Sequence, residues 1–526
     1  MASTRRQFLK RAGLWALALP AWAQVRLPGP ATLDPNRLAR YVQPLPVPPR
    51  AQPLLPDGEP IYRLRMVEAH PRFHPDLPPT RCWTYEGILP GPTLELHRGR
   101  PATVEWVNAL PPRHFLPVDH TLEGAAVSLP PVRAVVHLHG ARVPASSDGY
   151  PEDWIVPGQS QWCHYPNPQA AAPLLYHDHA MGLARLNVYA GLFGLCWLRD
   201  EIEAGLALPS GEYEVPLALC DRWLTPHGQL YYPTSGDVAA PWVPEVQGNL
   251  ILVNGALWPE LAVEPRSYRL RIANVANGRT FHLVLAAESP LQLIGTGQGL
   301  LDAPAPLRSL TLAPAERADL IVDFRAAQGQ RLELRNDGEP ILRFQVRAAV
   351  AGAGVGARAA GPWPALPRLP ESAAVRTRQL CLREYDDPQG QPRLMLLDGK
   401  FWHDAVSEQP RLGETEIWEF VNPTDDTHPI HLHMVRFQIL GRRYFDTSEY
   451  LVSERLRFTS PVETPGADEW GWKDTVRCYP GALTRIIVPF EGFAGRYLWH
   501  CHILEHAANQ MMRPYEILPA ESAYGT

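Results

Sequence analysis

The 526-residue chain lacks a large excess of charge of either sign, and it lacks long apolar segments apart from one run near its N-terminus. Charged residues make up 20% of the chain and the formal net charge is −6, which gives no sign of a nucleic-acid partner. Beyond the N-terminal region, no stretch is long and apolar enough to cross a bilayer. The 45% apolar content is typical of a globular protein, and the length predicts roughly three domains.

The cysteines lack CxxC spacing and match no zinc-binding pattern. If Cys501 is a metal ligand, six cysteines remain, and an exported chain could pair some of them. Buried free thiols are an equally good interpretation, and the sequence does not define a pairing. The seven cysteines are Cys82, Cys163, Cys196, Cys220, Cys381, Cys478 and Cys501.

Residues 1–23 resemble an export signal. Arg5-Arg6 stand directly before residues 12–22, an apolar run that is too short for a membrane span. The following Phe8-Leu9-Lys10 favours a twin-arginine signal over the basic region of an ordinary secretory signal. We therefore expect export of the folded, metal-loaded protein to a periplasm or to the outside, and we exclude these residues from the fold prediction.

Proline and short β-like runs are abundant instead. The chain has 57 prolines, and runs such as residues 61–67, 103–107 and 134–139 alternate with Pro and Gly. This pattern is typical of a β-sandwich or barrel and not of a βαβ fold. Residues 24–60 are proline-rich without periodicity, and we predict an extended lead-in there.

An internal repeat predicts three related β-domains. Asn108, Asn274 and Asn422 each end a strand-like run, and an apolar, histidine-bearing run follows each one. The first and third copies carry His-x-His pairs, whereas the middle copy keeps only His282, which we interpret as a core or surface histidine. The middle domain is therefore expected to act as a spacer between two ligand-bearing domains.

Composition gives the boundaries between these domains. An Ala/Gly/Pro-rich stretch, residues 351–376, is the clearest linker, and a charged, helix-like stretch near residues 199–211 marks a weaker boundary. The predicted domains are residues 40–200, 205–350 and 377–520.

Four His-x-His pairs indicate a metal cluster. Alternation along a β-strand places both histidines of each pair on one face. Eight imidazoles without a carboxylate in the motifs suit copper better than calcium or magnesium, and they could hold about three ions. Zinc also binds imidazole, but it is not redox-active. The eight residues are His137, His139, His177, His179, His431, His433, His500 and His502.

A second metal site is indicated around Cys501. On a strand Cys501 faces away from its neighbours His500 and His502, so one strand can serve two centres. His506 and Met511 follow, and a thiolate, imidazoles and a weak thioether form the ligand set of a blue copper centre. The second imidazole must come from residues 428–433. The alternative, a buried cysteine between core histidines, would also have to explain the four His-x-His pairs.

These motifs resemble those of the multicopper oxidases. Residues 137–140, 177–179, 428–433 and 500–511 carry the resemblance, and it extends over about residues 40–520. Residues 471–476 and 495–506 look most like the bacterial laccase branch that includes the spore-coat laccase and bilirubin oxidase. The resemblance implies an all-β fold of three cupredoxin-like Greek-key β-sandwich domains.

The resemblance also implies four copper ions and their ligands. By the family pattern, the type 1 ligands are His428, Cys501, His506 and axial Met511, and the type 2 ligands are His137 and His431. The binuclear type 3 ligands are His139, His177, His179, His433, His500 and His502. Electrons from a donor would enter at the type 1 site, where Cys501 and His506 act, and reduce dioxygen to water at the other three coppers.

Two further positions concern protons. Asp148 matches a family carboxylate near the cluster, although an Asp-Gly pair is also a common turn. Ala507 departs from the pattern, because close relatives have a Glu directly after the last type 1 histidine. Glu505 is present but is expected to point elsewhere. Slower oxygen reduction or an altered pH profile is the resulting hypothesis.

The expected electron donors are phenols or aromatic amines, and the expected acceptor is dioxygen. We expect the enzyme to be a monomer. Cu(I) is an alternative donor, but the chain has only seven methionines and no Met-rich insertion. A non-enzymatic copper-binding relative would have lost the ligands, and a copper nitrite reductase would have two domains. Residues 447–470 could cover the type 1 site, or form a surface loop.

Overall fold

The fold is all-β, as predicted. The computed structural model describes residues 31–55, 58–238, 240–286, 291–348, 361–388, 390 and 392–521. Strands within these ranges form six sheets, which fall into three successive pairs along the chain. We call these pairs the first, middle and third domains. The predicted export signal lies outside the described residues.

Residues 61–199 form the first domain, whose two sheets share one apolar core. Their orders are β2-β1-β4-β6 and β3-β8-β7-β5. The strands are β1 (Ile61–Ala69), β2 (Cys82–Tyr85), β3 (Gly91–His97), β4 (Ala102–Asn108), β5 (Val136–His139), β6 (Ser160–Tyr165), β7 (Ala172–Asp178) and β8 (Phe193–Arg199).

Residues 214–346 form the middle domain. Its sheets have the orders β12-β11-β9-β14-β19-β16-β17, with β10 on β9, and β13-β21-β20-β15-β18. The strands are β9 (Glu214–Leu224), β10 (Leu230–Tyr231), β11 (Leu250–Val253), β12 (Ala256–Leu257), β13 (Glu260–Val263), β14 (Ser267–Asn274), β15 (Phe281–Leu285), β16 (Leu291–Thr296), β17 (Gly299–Leu307), β18 (Leu310–Leu312), β19 (Arg317–Asp323), β20 (Arg331–Asn336) and β21 (Glu339–Val346).

Residues 376–517 form the third domain, with sheet orders β23-β22-β24-β28-β26 and β27-β25-β29-β30. The strands are β22 (Arg376–Asp386), β23 (Pro392–Leu397), β24 (Thr415–Asn422), β25 (His428–Leu432), β26 (Gln438–Tyr444), β27 (Thr475–Cys478), β28 (Ala482–Pro489), β29 (Gly495–Cys501) and β30 (Met512–Ile517). The α-helices of the described chain are α1 (Ala184–Ala190), α2 (Glu201–Gly205), α3 (Thr447–Ser453) and α4 (Leu504–Ala508).

The predicted repeat is visible in the hydrogen bonds. Asn108, Asn274 and Asn422 end β4, β14 and β24, and each of these strands pairs in parallel with the first strand of its own domain. The side-chain oxygen of each Asn accepts the backbone N–H two residues later, and its amide donates to backbone carbonyls. An Asn that satisfies the turn backbone in this way explains why the same residue recurs at the same place.

The segments between domains partly follow the predictions. Residues 31–55 run along the middle and then the first domain, with backbone hydrogen bonds to β9 and β3. The helix-like boundary forms α2, whose N-cap Asp200 accepts the N–H of Glu203. The chain passes from the first domain to the middle one between β8 and β9, and from the middle domain to the third between β21 and β22. The exact domain boundaries drawn from the sequence stay predictions. No helix among the described residues is long and apolar enough to span a membrane.

Burial decides between the interpretations that the sequence left open for the cysteines and for His282. All seven cysteines are free and buried, so the interpretation as buried thiols is correct. His282 is exposed on β15 and contacts Thr311, so it is a surface histidine. The middle domain therefore contributes no histidine to the sites below.

A buried ion network joins the first and middle domains. The Glu214 carboxylate lies 2.7 Å from Arg199 Nη2 and 2.6 Å from Arg271 Nε. Burial alone would raise the pKa of Glu214, but hydrogen bonds from Arg199 and the charges of Arg271 and Arg269 outweigh it and lower the pKa from 4.5 to about 2. The ionised carboxylate thus stabilises the fold above its ordinary pKa, and this stability is lost as pH falls toward about 2.

We expect Glu214→Gln to lower the free energy of unfolding at pH 7 by about 3 kcal/mol, because it removes one of the few carboxylates that neutralise the buried arginines of this network. The variant should also lose less stability than the wild type between about pH 5 and 2. Urea unfolding at several pH values measures both effects. Glu201→Gln, at an exposed position nearby, is the control. Equal stability of the two variants would contradict the prediction.

Candidate metal centre

Two equivalent strand pairs carry the histidines. In the first domain His137 on β5 lies opposite His177 on β7, and in the third domain His431 on β25 lies opposite His500 on β29. The second histidine of each pair lies two positions along the chain, on the same face or just past the strand end. The predicted equivalence of the two segments is therefore confirmed.

The two histidine-bearing faces meet between the first and third domains. The His137 ring stacks on that of His433 with 3.7 Å between centroids, and the His139 ring stacks on that of His431 at the same distance. His179 Nε2 lies 3.3 Å from His500 Nε2. All of these rings are buried, so the cluster is enclosed by both domains.

The rings are oriented to bind metal. The Nδ1 atoms of His137, His177, His431 and His433 lie 2.6 to 2.9 Å from backbone or carboxylate oxygens. The Nε2 atoms of the same rings are buried and have no hydrogen-bond partner among the described residues. Burial lowers the pKa of His177 and His431 to about 4, so the rings are neutral. Neutral imidazoles held by an oxygen on one nitrogen and free on the other are the donors that copper requires.

The potential ligand atoms fall into groups within 4.8 Å of one another. Two of these groups together contain the six histidines of the implied type 3 set, and a third contains the implied type 2 residues His137 and His431 together with His139. The groups are His137, His139 and His431; His139, His177 and His502; and His179, His433 and His500.

A separate buried site surrounds Cys501 on the opposite face of β29. Its Sγ lies 3.6 Å from His428 Nδ1 and 3.8 Å from His506 Nδ1, and these two nitrogens are 3.3 Å apart. Met511 is fully buried in the same apolar cluster, and its carbonyl accepts the Cys501 N–H. Burial raises the pKa of the Cys501 thiol well above its usual range, so the thiolate would form as metal binds. The donor set is that of a blue copper centre.

Two buried carboxylates cross between the domains. Asp148 in the first domain places Oδ2 2.8 Å from His433 Nδ1 in the third, and Asp474 in the third places Oδ1 3.1 Å from His139 Nε2 in the first. The two environments differ in charge. Burial raises the pKa of Asp148 well above its usual range. For Asp474 the charge of Arg317 outweighs burial and holds the pKa well below that range.

The middle domain takes part in this arrangement, so its interpretation as a spacer alone is wrong. Arg317 donates from Nη1 and Nη2 to the two oxygens of Asp474 at 2.7 and 2.6 Å. Gln298 donates to Asp474 at 2.6 Å and to the carbonyl of Gly140 at 2.8 Å. No sequence pattern indicated Arg317 or Gln298, and only the segment 471–476 pointed to Asp474.

The structure also locates the segment 447–470 and the residues Glu505 and Ala507. Residues 447–470 contain α3, and Tyr450 packs on Cys381 and neighbouring residues of the third domain, which favours the interpretation as a surface element. Glu505 points away from the histidines, as predicted, and accepts hydrogen bonds from Tyr232 and Asn277. Ala507 is half-buried on α4, directly after His506.

A cysteine–histidine site and a histidine cluster, joined by one strand of a cupredoxin-like sandwich, define a copper-dependent oxidase. The family model for multicopper oxidases matches residues 377–521, and a second multicopper oxidase model matches residues 129–202. The laccase of Bacillus stratosphericus is 43% identical over 510 residues, which cover 91% of this chain and 99% of that protein. The chain belongs to the multicopper oxidase family and is a laccase-like, oxygen-using oxidoreductase with type 1, type 2 and type 3 copper centres.

Other relatives agree with this assignment. The laccase of Haloferax volcanii is 37% identical over 516 residues, covering 91% of this chain and 85% of that protein. The crystal structure of a multicopper oxidase from Pediococcus acidilactici superposes with a TM-score of 0.77 at 25% identity, covering 96% of this chain and 97% of that one. The three-domain cupredoxin-like fold is therefore established.

Proposed function

We propose that this laccase-like oxidase takes single electrons from phenols or aromatic amines at the Cys501 site and that dioxygen is reduced at the histidine cluster. The observation that carries the proposal is the position of β29 between the two sites. Cys501 faces His428 and His506, while its neighbours His500 and His502 face the cluster. Consecutive residues at the end of β29 thus join the two sites covalently.

The residues present fit the copper that the family requires. His428, Cys501, His506 and Met511 would hold type 1 copper, His137 and His431 type 2, and the remaining six histidines type 3. Bound copper would supply one-electron transfer at the first site and oxygen reduction to water at the cluster. Because the two sites lie on opposite faces of β29, the donor and oxygen would react at separate places.

The surroundings of His428 favour a donor with polar groups. Glu384 Oε1 lies 3.5 Å from His428 Nε2, and Thr424 Oγ1 lies 2.9 Å from the same atom. Burial, followed by the charge of Asp426, raises the pKa of Glu384 to about 9 and that of Glu245 to about 8. These carboxyl groups can hydrogen-bond a phenol or an arylamine. Above these pKa values the groups become carboxylates that attract cations, and on this observation Cu(I) is the second candidate donor.

Oxygen uptake by the copper-loaded protein tests the proposal. The donors are dimethoxyphenol and, separately, Cu(I), with peroxide assayed in parallel. We expect rapid uptake with the phenol and no peroxide. Rapid uptake with Cu(I) alone would replace the phenol oxidase proposal with copper detoxification. Absence of uptake with both donors at full copper occupancy would contradict it.

We expect Ala507→Glu to speed oxygen reduction by at least about twofold, because it restores a carboxyl group that can supply protons next to the last type 1 histidine. Stopped-flow reoxidation of the reduced enzyme by oxygen measures the step. Ala507→Gln introduces a side chain of the same size without the acid and is the matched control. Equal rates for the wild type and both variants would show that Ala507 does not limit proton supply.

The proposal includes the setting of the enzyme. The twin-arginine pattern at Arg5-Arg6 supports export of a folded, copper-loaded protein to a periplasm or beyond. Replacing both arginines with lysine should keep the protein in the cytoplasm, which fractionation of the producing cells would measure.

A further inference from the structure

We infer that Arg317 of the middle domain is a positioning residue for the histidine cluster: its guanidinium fixes Asp474, and Asp474 in turn fixes histidines of both outer domains. This inference rests on the proposed ligand assignment. It gives the middle domain, which supplies no histidine, a direct part in building the oxygen-reducing site.

Contacts on every side hold the Arg317 side chain in one position. Its side chain is 1% exposed, and Nη1 and Nη2 hold the two oxygens of Asp474 as a parallel fork. The other donors bind carbonyls at 2.9 Å: Nε binds Pro173 of the first domain, Nη1 binds Ala315 and Nη2 binds Gly297. A single guanidinium therefore contacts all three domains.

The backbone around the pair leaves room for it. A Cβ on Gly140, which has φ of +84°, would lie 2.7 Å from Arg317 Nη2 and 2.7 Å from Asp474 Oδ2. A Cβ on Gly297 would lie 2.7 Å from Arg317 Cζ. Gly140 directly follows His139, so the glycine of the first histidine motif is required both by its backbone angle and by this ion pair.

Asp474 in turn orients two histidine rings. Its Oδ1 lies 3.1 Å from His139 Nε2, and its carbonyl lies 2.7 Å from His431 Nδ1. The His139 Nδ1 and His431 Nε2 atoms, which have no partner among the described residues, are thereby left as the ligand atoms. His139 thus uses the opposite nitrogen from His137, His177, His431 and His433, and the carboxylate explains this choice.

Asp148 supplies the contrast. It reaches His433 in the same way from the other domain, but among the described residues its Oδ1 has no hydrogen-bond partner, lies 3.6 Å from His137 Nδ1 and forms no salt bridge with an arginine. The two carboxylates are placed alike around the cluster, yet only Asp474 is held by a permanent cation. Arg317 is the feature that makes one of them a fixed anion.

The test compares Arg317→Lys and Arg317→Met with the wild type after copper loading. Lysine keeps the charge but loses the fork, and methionine loses both. We expect oxygen uptake to fall about 10- to 100-fold, with loss of the type 2 copper signal in electron paramagnetic resonance. The blue absorption of the Cys501 site should persist, because Arg317 makes no contact with that site. Lysine should retain more of the type 2 signal than methionine.

Arg269→Lys is the matched control. Arg269 forms a similar buried fork with Asp319 in the same domain, at 2.8 and 2.5 Å, but touches no residue of the cluster. This variant should lose thermal stability while its type 2 signal stays unchanged. If the Arg317 variants lose stability to the same degree but keep full copper and the wild-type type 2 signal, Arg317 is only structural and the inference is wrong.

The double variant Arg317→Met/Asp474→Leu covers the case in which single variants fold poorly. It removes both charges, so stability should recover relative to Arg317→Met, whereas the type 2 signal should not. Recovery of both would overturn the inference. Failure of the wild type itself to take up oxygen would instead contradict the proposed function, so the two failures are distinguishable.

Discussion

Cys501→Ser should abolish donor-driven oxygen uptake while leaving the histidine cluster able to bind copper. The serine hydroxyl is a poor replacement for a soft thiolate, and the other proposed ligands at this site are two imidazoles and a buried thioether. We expect the blue absorption to disappear. Oxygen uptake should fall by well over 100-fold, because loss of a residue that only hydrogen-bonds to a metal ligand already lowers activity by up to about 100-fold. Absorption spectroscopy, electron paramagnetic resonance and an oxygen electrode measure the three effects.

Cys196→Ser separates loss of the ligand from loss of a buried thiol. Cys196 is free and fully buried in the first domain, away from both sites. Burying a hydroxyl there should cost about 1–3 kcal/mol of stability, yet blue absorption and turnover should remain. A Cys501→Ser protein that kept its colour and its oxygen uptake would show that electrons enter elsewhere.

Local patterns predicted most of the fold and the ligand groups. The period of two along a strand places His137 beside His139 and sets Cys501 apart from His500, and the structure shows these arrangements. The repeated Asn at strand ends predicted three domains, because each Asn satisfies the backbone of its own turn. These features depend on residues close in sequence, so a single sequence displays them.

Contacts between domains could not be predicted in this way. Arg317 and Asp474 are 157 positions apart, and an arginine in a strand of ordinary composition gives no sign of its partner. The same holds for Glu384, which reaches His428 from a strand of the other sheet of its domain. Such side chains are recognised only when the sheets are packed, which is why the sequence alone predicts a spacer for the middle domain.

Asp148→Asn should slow oxygen reduction about 10²-fold, the lower range of what a positioned acid contributes. The amide keeps the shape and can still accept the hydrogen bond from His433 Nδ1, so the ring should stay in place. What is lost is the proton that the carboxyl holds at Oδ1. Anaerobic reduction of the Cys501 site by a phenol should be unchanged, and stopped-flow measurement of each half-reaction separates the two effects.

The pH dependence of the reoxidation rate shows whether the protonated form of Asp148 is the active one. Burial raises the pKa of this carboxyl well above its usual range, so it keeps a proton at pH values where an exposed aspartate has lost it. The rate of reoxidation in the wild type should therefore fall as pH rises through that pKa, because the donor form disappears. In Asp148→Asn the slower rate should be flat over the same range. A parallel fall in both proteins would assign the proton to another group, and the fixed anion Asp474 could not be that group while Arg317 holds it ionised.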